Sequence, residues 1–118
     1  MTFVRVVEEV SRADGAVGWR VAIGAECGAF GGYLPAEAAR EVYGNDRQVR
    51  KAGAFRPFGN ATVVAGGYQV NGRWPLGSGC QHSAWIVGGC RILDGDQPRL
   101  RPDGTPVMRL LFFFGLGP

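Results

Sequence analysis

The chain has 118 residues, of which 46% are hydrophobic, and it carries a net charge of +3 together with 20 glycines and 7 prolines. This glycine and proline content lies just under the roughly 25–30% at which aperiodic chains become disordered, and the high hydrophobic content argues against disorder. A collagen-like fibre is excluded because the glycines have no three-residue period, and the length allows one domain at most.

A helical period runs through the first 44 residues. A second helix has Asp14 as its candidate N-cap, and the Gly31-Gly32 pair ends it. A short third helix, residues 36–43, follows Pro35 and stops at Gly44. The first helix carries one apolar stripe, at Phe3, Val6, Val7 and Val10.

Three glycines inside the second helix each weaken it by about 1 kcal/mol relative to alanine. A helix keeps such residues where another group approaches its backbone closely, so we expect tight packing on a neighbour or a ligand. These glycines are Gly18, Gly24 and Gly28.

After Gly44 the period drops to two, which is typical of strands. Strands at 61–65 and 68–70 meet across a Gly66-Gly67 turn, and Asn71-Gly72 repeats the turn signal. Two further strands are predicted at 83–93 and 107–114. The fold class is therefore α+β, with about three N-terminal helices followed by four to six antiparallel strands.

Cysteine usage and hydropathy indicate the compartment. The three cysteines lack metal-ligand spacing, and His82 is the single histidine, so no metal site is predicted. The N-terminus has no signal-peptide apolar region, and the longest apolar run, residues 110–116, is far shorter than the roughly 20 residues that cross a bilayer. We expect a soluble cytoplasmic protein with inert thiols and no membrane partner.

Charge is uneven along the chain. Residues 1–44 carry four Arg against six acidic residues, whereas residues 45–118 carry nine basic against four acidic residues. The basic half suits an anionic partner such as a nucleotide, a flavin phosphate or nucleic acid, although a solvated Arg-rich surface is the simpler interpretation. Aromatics such as Trp74 could stack single-stranded nucleic acid, but a small barrel more often buries them, which argues against nucleic acid.

General catalytic motifs are weak in this sequence. The Gly77-Ser78-Gly79 segment lacks the first glycine of a nucleophile elbow, because Leu76 stands in that position. A dyad of Ser78 with His82 is also disfavoured, because the nucleophile elbow is a strand-to-helix turn and a strand is predicted after His82.

Residues 54–85 carry a series of motifs in order, which are Pro57-x-Gly59-x-Ala61, Gly66-Gly67-Tyr68-x-Val70-x-Gly72-Arg73-Trp74 and Ser78-Gly79, with His82 and Trp85. They resemble the middle β-domain of acyl-CoA dehydrogenase-like flavoproteins, and among these they are most similar to two-component flavin-dependent monooxygenases that hydroxylate phenols. The resemblance implies that residues 1–44 end a helical domain and that residues 45–118 form the middle domain, an antiparallel β-barrel or sandwich.

The resemblance also implies a flavin site. In the family, the hydroxyl at the Ser78 position reaches flavin N5. Trp19 matches a residue that lines the flavin and substrate pocket, and Cys27 stands where some monooxygenases carry an active-site histidine, so no catalytic residue is assigned. The cofactor-binding residues implied are Phe55, Gly59 and Asn60, in a loop at 55–61 along the pyrimidine edge and phosphates, and Leu76, Gly77 and Ser78, against the isoalloxazine.

The function implied is hydroxylation of an aromatic substrate with reduced FMN or FAD and O2, with a flavin reductase as partner and a homo-oligomeric assembly. Complete family members run to several hundred residues and add a C-terminal helical bundle, so the resemblance implies a truncated member. We expect weak or absent flavin binding by this chain alone. The alternative is a non-enzymatic module that acts through oligomerisation or partner binding.

Overall fold

A computed structural model describes residues 2–44, 51–75, 77–78 and 80–114, with Phe114 described by its backbone alone. Within these ranges three α-helices precede five strands, which confirms the predicted α+β class. The helices are α1 (Thr2–Ala13), α2 (Gly15–Ala29) and α3 (Ala36–Tyr43), with 3-10 helices at Phe30–Tyr33 and Cys80–His82. The strands are β1 (Lys51–Val64), β2 (Gly67–Gly72), β3 (Trp85–Asp94), β4 (Gln97–Pro98) and β5 (Met108–Phe114).

The helix boundaries follow local chemistry. The Asp14 carboxylate accepts hydrogen bonds from the backbone N–H of Ala16 at 2.8 Å and of Val17 at 3.2 Å, which confirms the predicted cap of α2. α3 spans the predicted residues and stops at Gly44, whose φ of 42° suits glycine. The prediction that Gly31-Gly32 ends the second helix is wrong, because α2 passes directly into the 3-10 helix Phe30–Tyr33.

Close packing explains one of the three glycines of α2. A Cβ atom on Gly18 would lie 2.8 Å from the Ser11 Cβ and 2.9 Å from the Ser11 Cα, so only glycine allows α1 to approach α2 there. No such neighbour lies within 4 Å of the Cβ positions of Gly24 and Gly28 among the described residues. The expectation of a close neighbour is therefore confirmed at Gly18.

Register in the sheet corrects two predicted turns. β1 and β2 pair antiparallel from Gly59 opposite Gly72 to Val64 opposite Gly67. The turn is therefore Ala65-Gly66, one residue earlier than predicted, with Gly66 at φ +80°. Asn71-Gly72 forms the end of β2 and not a turn, because these residues take part in the ladder with β1.

The sheet is open. Its strand order is β2-β1-β3-β4, and β5 also pairs with β3. The order runs from β2 at one end to β4 at the other without closure, so the predicted barrel is wrong among the described strands. Closure needs pairing between the two end strands, and β4 has only two residues, Gln97 and Pro98.

The chain divides into two compact units. The helical unit comprises residues 1–53, 78–86 and 114–118, and the sheet unit comprises residues 54–77 and 87–113. Buried side chains of the helical unit include Ile23, Cys27 and Val42. The sheet unit is centred on Ala61, Cys90 and Ile92, against which pack Val70, Trp74, Val107 and Leu111. In the described part of the chain, none of the helices has the length and apolar character needed to cross a membrane.

Candidate functional site

A hydrogen bond joins Trp19 to Ser78 within the helical unit. The indole Nε1–H of Trp19 donates to the Ser78 Oγ at 3.3 Å, although the two residues are 59 positions apart in the sequence. Trp19 lies in the second turn of α2 with 59% of its surface exposed, and Ser78 is half-buried just before the 3-10 helix Cys80–His82. The fold thus brings together two of the residues that the family resemblance singled out.

The position of Trp19 is set by the start of α2. The Asp14 cap fixes the first turn, and Gly18 packs against Ser11 of α1. Gly18 is buried, and the next residue, Trp19, presents an exposed side chain. The indole therefore extends from a helix whose backbone is held on the side of α1.

The chemistry of the Trp19–Ser78 pair follows from its donors and acceptors. A tryptophan indole only donates, whereas a serine hydroxyl has one proton to donate and two lone pairs that accept. Ser78 is therefore the acceptor, and it keeps its proton and one lone pair for a second partner. A flavin N5 accepts a hydrogen bond when oxidised and carries a proton when reduced, so the free donor and acceptor of Ser78 fit either form.

The predicted residues Phe55, Gly59 and Asn60 lie in the sheet unit on β1. The prediction of a loop at 55–61 is wrong, because these residues form the middle of a strand of 14 residues. Phe55 and Asn60 are exposed, and Asn60 lies opposite Asn71 of β2. Both side chains have exposed surface, and their roles toward a flavin stay predictions.

Gly59 is buried for a reason internal to the sheet unit. A Cβ atom there would lie 2.8 Å from the Trp74 Cη2 and 2.9 Å from the Cys90 Sγ. The indole ring of Trp74 thus fills the space beside Gly59. A flavin phosphate contact at Gly59 stays a prediction, and substitution there tests packing first.

Cys27 is a buried residue of α2. Its exposed fraction is 0%, and its carbonyl oxygen accepts a hydrogen bond from the Tyr43 hydroxyl at 2.6 Å. Burial raises the pKa of the Cys27 thiol, Glu26 adds to this effect, and the Lys51 ammonium opposes it. These surroundings favour the neutral thiol, and the substrate-pocket role of Cys27 stays a prediction.

The remaining predicted residues are placed as follows. Gly77 is half-buried, and Leu76 lies outside the described residues. His82 is exposed, and among the described residues the side-chain hydrogen bond of Ser78 is with Trp19 and not with His82. No three His, Cys, Asp or Glu side chains in the described ranges come together as a metal site would require.

Sequence reasoning missed three long-range contacts. It did not predict that Trp74 fills the space above Gly59, that Tyr43 holds the backbone of α2, or that Trp19 bonds to Ser78. Each contact joins residues at least 15 positions apart, so local periodicity carries no signal for it. For the Trp74 contact, the glycine at position 59 was the available hint.

Two curated relatives match most of the chain, although no protein-family model does. It is 38% identical over 97 residues to the oxygenase subunit HsaA of a flavin-dependent monooxygenase from Rhodococcus jostii, covering 79% of this chain and 25% of the relative. It is 35% identical over 101 residues to an indole-3-acetate monooxygenase from Pseudomonas putida, covering 83% of this chain and 26% of the relative. The chain thus spans about a quarter of the length of these relatives.

A solved structure with a bound reduced flavin also matches most of the chain. The solved structure of XiaF from Streptomyces sp. in complex with FADH2 and glycerol matches with a TM-score of 0.77 and 25% identity, over 94% of this chain and 26% of that one. The chain is a homologue of the oxygenase subunits of two-component flavin-dependent monooxygenases. The resemblance identified from residues 54–85 is thereby confirmed. In this oxygenase homologue, the Trp19–Ser78 pair is the candidate contact to a flavin.

Proposed function

We propose that this oxygenase homologue contributes part of the flavin site of a monooxygenase that hydroxylates an aromatic substrate with reduced flavin and O2. The observation that carries the proposal is the Trp19–Ser78 hydrogen bond. It unites two residues that the family resemblance assigns to the flavin pocket, and it leaves a hydroxyl free to donate and accept. When bound, the flavin supplies the redox chemistry, and this chain supplies the hydroxyl and the indole beside it.

Two of the similar proteins support the choice of cofactor and substrate in this proposal. We propose FAD over FMN because the structural neighbour XiaF is in complex with FADH2. An aromatic substrate is supported by the relative that acts on indole-3-acetate, whose indole ring is aromatic. The proposal includes a flavin reductase as partner, a homo-oligomer and a cytoplasmic location. Homology to oxygenase subunits favours this function over a non-enzymatic module.

A flavin titration of the whole chain tests the proposal. Flavin fluorescence is followed while wild-type protein is added to FAD and, in parallel, to FMN. We expect quenching by the wild type, with tighter binding of FAD than of FMN. Ser78→Ala should lower the affinity about three- to tenfold, since one neutral hydrogen bond is removed. Gln81→Ala, an exposed residue of the neighbouring 3-10 helix, is the control and should bind as wild type.

Two results would contradict the proposal. Absence of quenching at millimolar protein would show that this chain does not hold a flavin. Equal affinities of wild type and Ser78→Ala would show that the serine is not at the flavin. Gly59→Asp is unsuitable for this test, because a side chain at Gly59 would displace Trp74 whether or not a flavin binds there.

A further inference from the structure

We infer that Trp19 is a positioning residue that holds the Ser78 Oγ in place while leaving the hydroxyl proton free to rotate. This inference rests on the proposed function, because it assigns Trp19 a task toward the flavin contact of Ser78. It goes beyond a pocket-lining role, since it concerns the indole N–H and not the ring surface.

The hydrogen bond between Trp19 and Ser78 has only one possible direction. The indole N–H of Trp19 has no lone pair to offer, so it can only donate to the Ser78 Oγ. The bond therefore restrains the Ser78 Oγ atom and leaves the hydroxyl proton available for another acceptor. A carboxylate at position 19 would instead accept that proton and fix the hydroxyl in one orientation.

Without this bond, the Ser78 side chain could adopt more than one rotamer. Ser78 precedes a 3-10 helix of three residues and is only half-buried. A serine side chain has three staggered rotamers, and partial exposure leaves more than one of them open. The bond from Trp19 selects the rotamer in which Oγ faces the indole.

The backbone of α2 is held in place next to Trp19. Trp19 follows Gly18, which packs directly against Ser11 of α1, and the Asp14 cap closes the same end of α2. The indole therefore starts from a fixed backbone position. A hydrogen bond from this fixed helix therefore restrains the hydroxyl on the turn.

The consequence concerns both redox forms of a flavin. A hydroxyl with a fixed oxygen and a free proton can donate to an unprotonated N5 or accept from a protonated one without moving its heavy atom. Loss of the Trp19 N–H should therefore weaken the binding of oxidised and reduced flavin by a similar factor. Loss of the aromatic ring is a separate effect, which Trp19→Phe avoids because it keeps a ring.

The hydrogen bond itself is tested by NMR on 15N-labelled protein without flavin. The chain has three tryptophans, so three indole N–H signals are expected, and Trp19→Phe identifies one of them. Ser78→Ala should shift the Trp19 signal and speed its exchange with water, because the indole is largely exposed. The Trp74 signal is the internal reference, since its N–H bonds to Gly89 at 2.8 Å. An unmoved Trp19 signal in Ser78→Ala would overturn the inference.

The flavin arm is a double-mutant cycle in the full chain, read by flavin fluorescence with oxidised FAD and with dithionite-reduced FAD under anaerobic conditions. We expect Trp19→Phe and Ser78→Ala each to weaken binding about three- to tenfold, with the double variant no weaker than the worse single one. Additive losses would show that the two residues act independently. This result would overturn the inference about Trp19 and leave the proposed function standing. A wild-type chain that binds no flavin would overturn the proposed function, and with it the role of Trp19 toward a flavin, whatever the NMR result.

Discussion

The indole N–H of Trp74 donates a hydrogen bond to the carbonyl oxygen of Gly89 at 2.8 Å in the sheet unit. The same ring lies where side chains on Gly59 and Gly72 would be, since Cβ atoms on these residues would lie 2.8 Å and 2.7 Å from its Cη2. The Phe113 ring packs beside it, with ring centroids 5.4 Å apart. Glycines on paired β1 and β2 thus make room for one tryptophan.

Replacement of Gly59 should disturb this packing. In Gly59→Ala the new methyl group would overlap the Trp74 ring, so we expect a loss of about 1–3 kcal/mol in the free energy of unfolding, measured by urea denaturation. The matched control is Gly24→Ala, inside α2 and with no atom within 4 Å of its Cβ position among the described residues. It should stabilise the chain by about 0.5–1 kcal/mol. Equal stability of Gly59→Ala and wild type would show that Trp74 does not occupy this space.

Replacement of Trp74 itself separates the hydrogen bond from the ring. Trp74→Phe keeps an aromatic ring but leaves the Gly89 carbonyl without its donor, so we expect a destabilisation of about 1–3 kcal/mol. Trp74→Ala should cost about 3–5 kcal/mol, because a large buried contact area is also lost. Equilibrium unfolding measures both. If Trp74→Phe unfolds at the same urea concentration as wild type, the bond to Gly89 contributes nothing.

The Tyr43 hydroxyl should protect Cys27 from reagents. Cys27 is fully buried, its thiol pKa is raised by burial, and Tyr43 ties its carbonyl oxygen at 2.6 Å. Because the thiolate is the reactive form, we expect Cys27 to be alkylated far more slowly at pH 8 than the half-buried Cys80. Tyr43→Phe removes one hydrogen bond and should speed alkylation of Cys27 about three- to tenfold. Mass spectrometry follows the alkylation of each cysteine over time. An unchanged rate for Cys27 in Tyr43→Phe would mean that the Tyr43 hydroxyl does not restrict access to Cys27.

The ion pair at the end of the β3–β4 hairpin should be visible in a carboxylate titration. Arg99 donates two hydrogen bonds to Asp94, at 2.6 Å and 2.8 Å, and these hold the pKa of Asp94 below its usual range. A carboxyl whose pKa is lowered on folding stabilises the fold above its unfolded pKa, and this contribution is lost as the pH falls through the lowered value. In Arg99→Gln, the Asp94 pKa should rise.

The control for that titration lies in the next turn. The Thr105 hydroxyl and backbone N–H bond to the Asp103 carboxylate and lower its pKa without help from Arg99. In an NMR titration of side-chain carboxyl carbons, Asp103 should therefore titrate alike in wild type and Arg99→Gln. A shift of both aspartates together would point to a general change in the hairpin, and no shift of Asp94 would refute the role of Arg99.

Local chemistry made several elements predictable from the sequence. α3 was predicted at its observed bounds because Pro35 and Gly44 act on the residues next to them. The Asp14 cap was predicted for the same reason, since it contacts N–H groups two and three positions ahead. The β1–β2 turn was misplaced by one residue because Gly66 and Gly67 can both adopt positive φ, and the cross-strand pairing selects between them.

The sequence by itself determined the helix-then-strand order, the capped helix ends and, through its motifs, the kinship with flavin-dependent oxygenases. These depend on neighbouring residues or on residue identities in order. The tertiary structure alone decided that the sheet stays open, that Trp74 fills the space at Gly59, and that Trp19 bonds to Ser78. Such contacts join residues far apart along the chain, and a hydrogen bond or a van der Waals contact depends on distance in space, which periodicity along one segment does not encode.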